Sequence, residues 1–286
     1  MAEVQHPSAL KKIRKDHRMY HKKINKYAIP LVLALATAAA PALAQDAAEE
    51  EPGSWLPGEF SGGVALTSNY VFRGISQTNN EPAIQGNIDY SIDTGLAGIS
   101  VYGGFWASNV DFQDDDEAQV EIDWSFGLTG EIADTGLGWT LGGIYYSYPG
   151  SRGNLNYDYW EIYPALSYSP IEGLALDVAM NYSPDYFAAS GDSYYPNGTV
   201  SYEIPGIPKK WFTLTPSATL GYIFIDDNDA FGTPSYLTWA LGATVNIKGL
   251  DVAFTYTDTN LSKNDCFGGT QNWCEAKFIG TVSYSF

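Results

Sequence analysis

The stretch Cys274–Phe286, CEAKFIGTVSYSF, decides the fold. Every second residue from Ala276 to Phe286 is apolar, aromatic or glycine, and the residues between them are polar except Ile279. Side chains of a β-strand point alternately to opposite faces, so this stretch predicts a strand with one apolar and one polar face. Such a strand suits either a membrane barrel or a soluble β-sandwich, and the rest of the chain has to distinguish them.

The same alternation recurs from Phe60 to the end of the chain and predicts about twelve strands. It is clearest over Val120–Ile132, where apolar residues alternate with Gln, Glu, Asp, Ser and Thr. The connections alternate between long and short, and the strands are long enough to cross a bilayer at a tilt. We therefore predict a closed antiparallel transmembrane β-barrel, with short periplasmic turns and longer extracellular loops.

The soluble alternative is a β-sandwich or a ligand-binding barrel with its apolar face inward. In that case Trp124, Leu237 and Phe278 would pack together in a dry centre, which so many large side chains would overfill. The membrane barrel places them against lipid, with aromatic girdles near the strand ends that include Tyr70 and Phe72. Proline at 164, 196 and 216 is unusual inside a strand and predicts bulges or a slipped register there.

The amino-terminal part predicts export. Residues 28–44 are apolar, follow a basic run and end in Ala-Leu-Ala, which indicates a signal peptide (1–44) cleaved after Ala44. A membrane anchor is the alternative, and translation from Met19 would give a signal of more ordinary length. Residues 45–59 are acidic and aperiodic, so a flexible arm is expected before the barrel (60–286).

Composition and charge exclude several classes of function. Residues 45–286 contain 7 basic and 31 acidic side chains, a balance that repels nucleic acid. His6, His17 and His21 all precede the cleavage site, so the exported part lacks the usual catalytic base and an enzyme is not expected. Cys266 and Cys274 predict a local disulfide rather than a metal pair, and the sequence indicates no metal site and no cofactor.

Charged residues on the polar faces are the candidates for lining a pore. They are Arg73, Asp89, Glu121, Asp123, Glu131, Asp177, Asp251, Glu275 and Lys277. A wet lumen lined mainly by carboxylates favours cations, so the chain is expected to be a passive channel for small hydrophilic solutes. The alternative is a non-conducting barrel plugged by its own side chains, in which Arg73 and Lys277 pair with neighbouring acids.

A third possibility is a structural or surface-binding barrel that acts through its acidic loops. The loops 111–117 and 226–229 could bind Ca²⁺ or bridge cations to lipopolysaccharide, although no EF-hand pattern is present. Outer-membrane lipid is an expected partner in each case. The terminal Phe286 resembles the signal by which outer-membrane barrels are read by the barrel-assembly machinery.

The stretch Ser68–Gly86, SNYVFRGISQTNNEPAIQG, resembles the opening of the TorF porin family. Strand spacing and the aromatic end extend the likeness over Phe60–Phe286. The resemblance implies an outer-membrane barrel of about twelve strands. It carries over no site residues and no defined solute.

Overall fold

The computed structural model describes residues 57–96, 98–113, 118–133, 135–151 and 156–286. The predicted signal peptide, its cleavage after Ala44 and most of the acidic arm lie outside these residues. Within the described residues, no helix is both long and apolar enough to cross a membrane, a finding that does not bear on crossing by β-strands.

The chain is almost entirely β-structure in these residues, as the period-two pattern predicts. The strands are β1 (Glu59–Thr67), β2 (Val71–Phe72), β3 (Ile75–Ser76), β4 (Ala83–Leu96), β5 (Ile99–Asn109), β6 (Val120–Ile132), β7 (Leu137–Ser147), β8 (Tyr159–Tyr168), β9 (Leu174–Ser183), β10 (Ser193–Tyr202), β11 (Thr213–Ile225), β12 (Tyr236–Ile247), β13 (Leu250–Thr259) and β14 (Lys277–Ser285). A one-turn helix, Asn228–Phe231, and two short 3₁₀ segments, Phe187–Ala189 and Phe267–Gly269, lie in the loops.

Twelve of the strands form one closed antiparallel barrel, and β2 and β3 form a separate hairpin. The barrel closes because β1 pairs with both β4 and β14. Closure leaves no unpaired edge, which a sheet in hydrocarbon requires. The predicted fold class is confirmed.

The apolar faces of the strands point outward. Trp124 is 50%, Leu241 58% and Phe278 82% exposed, and most of the other large apolar strand residues on this face are exposed as well. Polar side chains occupy the interior positions between them. This orientation is the one that a lipid-facing barrel needs, and it is opposite to that of a soluble sandwich.

The two ends of the barrel differ. The connection between β12 and β13 is only two residues long, and Lys248 and Gly249 both have positive φ (54° and 89°), as a tight hairpin turn requires. Both ends of the barrel segment lie at this short-turn end. The connections at the other end, the long-loop end, include residues 68–82 and 260–276.

Two of the three strand prolines, Pro164 and Pro196, each interrupt one ladder without shifting it, and Pro216 pairs with Ala243 in register. At Pro164 the β8–β9 pairing skips from Ile162–Tyr182 to Ala165–Ala179 and keeps the same register. The β10–β11 pairing skips Pro196 in the same way. The predicted slip is therefore wrong for these two strands, because a missing N–H removes a single bond without moving its neighbours.

Candidate functional site

The long-loop half of the barrel interior contains a hairpin from the first long loop, which we call the plug hairpin (Tyr70–Gln77). Its strands β2 and β3 pair around Arg73 and Gly74, which both have positive φ (48° and 85°). Tyr70, Phe72 and Ile75 are buried. The alternation that starts at Phe60 predicts a first strand that continues to Arg73, and this prediction is wrong: β1 ends at Thr67, and the chain then turns into the barrel.

This placement also corrects the predicted girdle. Tyr70 and Phe72 belong to the internal aromatic cluster instead of facing lipid. The reason is the tight reversal at Arg73–Gly74, which returns the chain before it can extend the barrel wall.

The loop between β13 and β14 (260–276), which is the sixth long loop, forms hydrogen bonds with the plug hairpin and the residues that follow it. The backbone N–H of Ser76 donates to the carbonyl of Trp273 (3.0 Å), and the Trp273 indole N–H donates to Oδ1 of Asn79 (3.0 Å). Trp273 is next to Cys274, which is bonded to Cys266. Both cysteines are buried and belong to the same hydrophobic cluster as Tyr70, Phe72 and Ile75 of the hairpin.

Arg73 is the cation at the tip of the plug hairpin, and it is 4% exposed. Its Nη2 donates to Oε2 of Glu161 on β8 at 2.7 Å, and its guanidinium lies 4.6 Å from the Phe72 ring and 4.3 Å from the Tyr195 ring. Burial acts to lower the pKa of Arg73, but Glu161 and then Tyr186 raise it, and it ends well above its usual value. The guanidinium therefore stays charged and attracts Glu161 at any physiological pH.

Glu161 has further hydrogen bonds to its Oε2. The Tyr146 hydroxyl donates at 3.2 Å and the Asn181 amide at 3.0 Å. Glu161 was not among the predicted site residues. Its alternation with Tyr159 and Tyr163 on β8 was the available signal, because it places all three side chains on the interior face.

Glu121 and Asp123 lie two residues apart on the interior face of β6, and they are 1% and 0% exposed. Oε1 of Glu121 accepts a hydrogen bond from the Tyr148 hydroxyl at 3.0 Å. Oε2 of Glu121 and both carboxylate oxygens of Asp123 have no hydrogen-bond partner in the described part of the chain. With Arg73 and Glu161 they form what we call the buried charge cluster.

Aromatic side chains fill the space around this cluster. Tyr146 stacks on Tyr159 with ring centroids 4.3 Å apart, and Tyr157 stacks on Phe187 at 4.5 Å. Tyr70 contacts Trp106 edge-on at 5.2 Å. The long-loop half is therefore a packed core rather than an open passage.

The inward side chains of the short-turn half are less buried and more polar. Asp89, Asp177 and Asp251 are half-buried there, on β4, β9 and β13. The hydroxyls of Tyr102 and Tyr163 are 2.7 Å apart between this half and the packed half. Three of the predicted pore-lining carboxylates, Asp89, Asp177 and Asp251, thus face the same half of the interior, which we call the vestibule.

The remaining predicted pore-lining residues are not brought together. Glu131 is exposed near the short-turn end of β6. Glu275 is exposed and precedes β14, which begins at Lys277, so the predicted start of the last strand is wrong. The Lys277 ammonium donates to the carbonyls of Trp273 (2.6 Å) and Glu275 (2.7 Å), and these bonds hold the loop.

Several solved structures resemble this barrel. LpxR from Salmonella typhimurium has 9% identity and a TM-score of 0.43, covering 79% of this chain and 99% of its own. The COG4313 outer membrane channel from Pseudomonas putida F1 has 13% identity and a TM-score of 0.45, covering 83% and 99%. A porin has 10% identity and a TM-score of 0.40, covering 80% and 100%.

The sequence comparisons give one family and no curated relative. No curated protein matches the chain. The model of the Gcw_chp family, described as a bacterial protein of unknown function, matches residues 49–286, which include the entire barrel. The chain therefore belongs to the Gcw_chp family.

Proposed function

We propose that the chain is an outer-membrane, porin-like channel for small hydrophilic solutes, with a preference for cations. The observation that carries the proposal is the separation of the two faces: apolar side chains outside, carboxylates inside. The resemblance of Ser68–Gly86 to the TorF porins agrees with it.

The vestibule supplies the cation preference. Asp89, Asp177 and Asp251 lie on separate strands around the short-turn half of the lumen, and that half contains no compensating lysine or arginine among the described interior positions. A ring of carboxylates raises the local concentration of cations and repels anions. The short-turn end would face the periplasm in this arrangement.

The plug hairpin closes the opposite half in this proposal. Conduction then requires the hairpin to move, and the Arg73–Glu161 pair is the main electrostatic contact that opposes this movement. A passage of this kind conducts rarely in its resting state and more often when the hairpin is shortened.

Planar-bilayer recordings with purified protein test the channel. We expect current steps whose reversal potential in a salt gradient shows cation preference, and larger or more frequent steps when residues 70–77 are replaced by a short Gly-Ser linker. The combined variant Asp89→Asn, Asp177→Asn and Asp251→Asn should lose most of the preference, whereas the loop variant Asp229→Asn should keep it. Anion preference in the unmodified protein would contradict the proposal.

A specific observation favours a second candidate, a non-conducting structural or surface-binding barrel. The packed long-loop half is the plugged interior that this candidate requires. It is supported if the barrel with the shortened hairpin, shown to be folded, gives no current steps, and the same result would exclude the channel.

A further inference from the structure

The plug hairpin covers two buried carboxyl groups of the barrel wall, Glu121 and Asp123 on the interior face of β6. Tyr70 of the hairpin lies beside the Glu121 carboxyl. Its ring also packs edge-on against Trp106, which is directly opposite Asp123 in the β5–β6 ladder. The exclusion of water from both carboxyl groups therefore depends on the hairpin being in place.

No positive charge is available to these two groups. The guanidinium of Arg73 forms its ion pair with Glu161. The Lys277 ammonium donates to two backbone carbonyls. Among the described residues, Glu121 and Asp123 are thus left without a positive partner.

The other titratable neighbours are phenols. Tyr70 comes from the hairpin, and Tyr148 follows β7. Tyr146 lies on β7, directly opposite Asp123, and β5 places no titratable side chain opposite either carboxyl group. Burial, followed by the charge of Glu121, raises the pKa of Tyr70 and of Tyr148 well above the usual value. These phenols stay neutral, so they offer hydroxyl groups and cannot balance a carboxylate.

Ionisation of the two carboxyl groups in this packed arrangement is unfavourable. A carboxylate removed from water without a partner loses its hydration and gains nothing in return. Both oxygens of Asp123 lack a hydrogen-bond partner in the described part of the chain. Glu121 and Asp123 lie two residues apart on one strand face, so two negative charges there would also repel each other. A proton on each group removes the uncompensated charge, and the buried arrangement suits this neutral form.

We propose that the plug hairpin is a pH-dependent latch, which stays seated in the barrel while Glu121 and Asp123 are protonated and is released when they ionise. Release exposes both groups to water, where Asp and Glu ionise above about pH 4. The seated state therefore binds more protons than the released state, and its relative stability falls as the pH rises above that value. This inference concerns the position of the hairpin and does not depend on whether the barrel conducts.

Trypsin reports the position of the hairpin, because Arg73 is its only lysine or arginine and the residues on both sides of the Arg73–Gly74 bond are buried. Lys209, between β10 and β11, has a side chain that is 77% exposed, and cleavage there is an internal reference for protease activity at each pH. Detergent-folded protein is digested briefly, and mass spectrometry gives the ratio of cleavage after Arg73 to cleavage after Lys209. We expect this ratio to rise by about 10-fold or more between about pH 6 and about pH 8, since each proton released changes the equilibrium by up to about 10-fold per pH unit.

Neutral variants show whether these two acids cause the rise. The double variant Glu121→Gln, Asp123→Asn places uncharged amides where the protonated carboxyls lie, so its ratio should stay low at both pH values. Asp123→Asn alone should show a smaller rise than the wild type, whereas Asp177→Asn, which removes a half-buried carboxylate from the vestibule, should keep the full rise. A faster unboiled band on a denaturing gel confirms that each variant is folded. The proposal is overturned if the wild-type ratio does not rise with pH, or if the double variant rises as much as the wild type.

Discussion

At the scale of single residues, the Arg73–Glu161 pair is a buried ion pair between the plug hairpin and the barrel wall. Both groups are buried, so removing one leaves the other charged and unpaired. We expect Arg73→Met to lower the free energy of unfolding by about 3–5 kcal/mol.

The double variant Arg73→Met, Glu161→Gln separates the ion pair from simple packing. It removes both charges, so it should be more stable than either single variant. Urea unfolding of the barrel in lipid vesicles gives the unfolding free energies of the wild type, the two single variants and the double variant, which together form a double-mutant cycle. If the losses of the two single variants simply add in the double variant, the side chains do not interact energetically.

Gly74 makes a second residue-level prediction possible. A Cβ at Gly74 would collide with Thr238 and Thr259, whereas a Cβ at Gly136 would meet open space. Both glycines have positive φ (85° and 69°), so Gly136→Ala reproduces the backbone strain without the collision. Gly74→Ala should therefore destabilise the barrel more, and should increase current steps if the hairpin gates a channel.

Comparison of the unfolding midpoints of Gly74→Ala and Gly136→Ala shows whether the hairpin is packed closely against the barrel wall. Equal unfolding midpoints for Gly74→Ala and Gly136→Ala would mean that the hairpin leaves the wall at no cost. A lower midpoint for Gly74→Ala alone supports close packing against β12 and β13.

At the scale of elements, the barrel strands could be predicted and the plug hairpin could not. Alternation identified the strands because one face contacts lipid and the other the lumen, and the Val120–Ile132 prediction matches β6. Tyr70 and Phe72 fall in the same alternate set as Val64 and Leu66, so periodicity alone merges the start of the hairpin with β1. Only the turn at Arg73–Gly74 distinguishes them, and its positive φ values are not visible in the residue pattern.

The candidate site was predicted in part for the same reason. Glu121 and Asp123 were placed on an interior face because they alternate with Val120, Ile122 and Trp124. Their burial could not be predicted, because it depends on the loop segment that enters the barrel. Alternation gives the face of a side chain, but the distance to a non-neighbouring loop is a tertiary property.

The disulfide gives a prediction for the sixth long loop. Cys266 and Cys274 are separated by 8 residues, and closing a loop of that size stabilises a protein by about 2–3 kcal/mol. The double variant Cys266→Ser, Cys274→Ser should unfold at a correspondingly lower urea concentration. Reduction of the wild type should give the same shift, and an unchanged midpoint in both would show that hydrogen bonds alone hold this loop.

At the scale of the whole molecule, the orientation of the two faces determines every functional proposal. Leu241 is the central outward residue of β12, and Ser217 is a half-buried inward residue of the adjacent β11. In lipid vesicles, Leu241→Lys places a charge in hydrocarbon and should cost about 2–4 kcal/mol of unfolding free energy. Ser217→Lys places the same charge in the polar lumen and should cost much less.

The comparison of these two lysine variants tests the membrane barrel without reference to conduction. Unfolding from lipid vesicles should show a lower midpoint for Leu241→Lys than for Ser217→Lys, and detergent should reduce the difference because it adapts to a surface charge more readily than a bilayer. A larger loss for Ser217→Lys would mean that the inward face is the dry one. In that case the carboxylates of the vestibule could not line water, and both the channel and its cation preference would have to be abandoned.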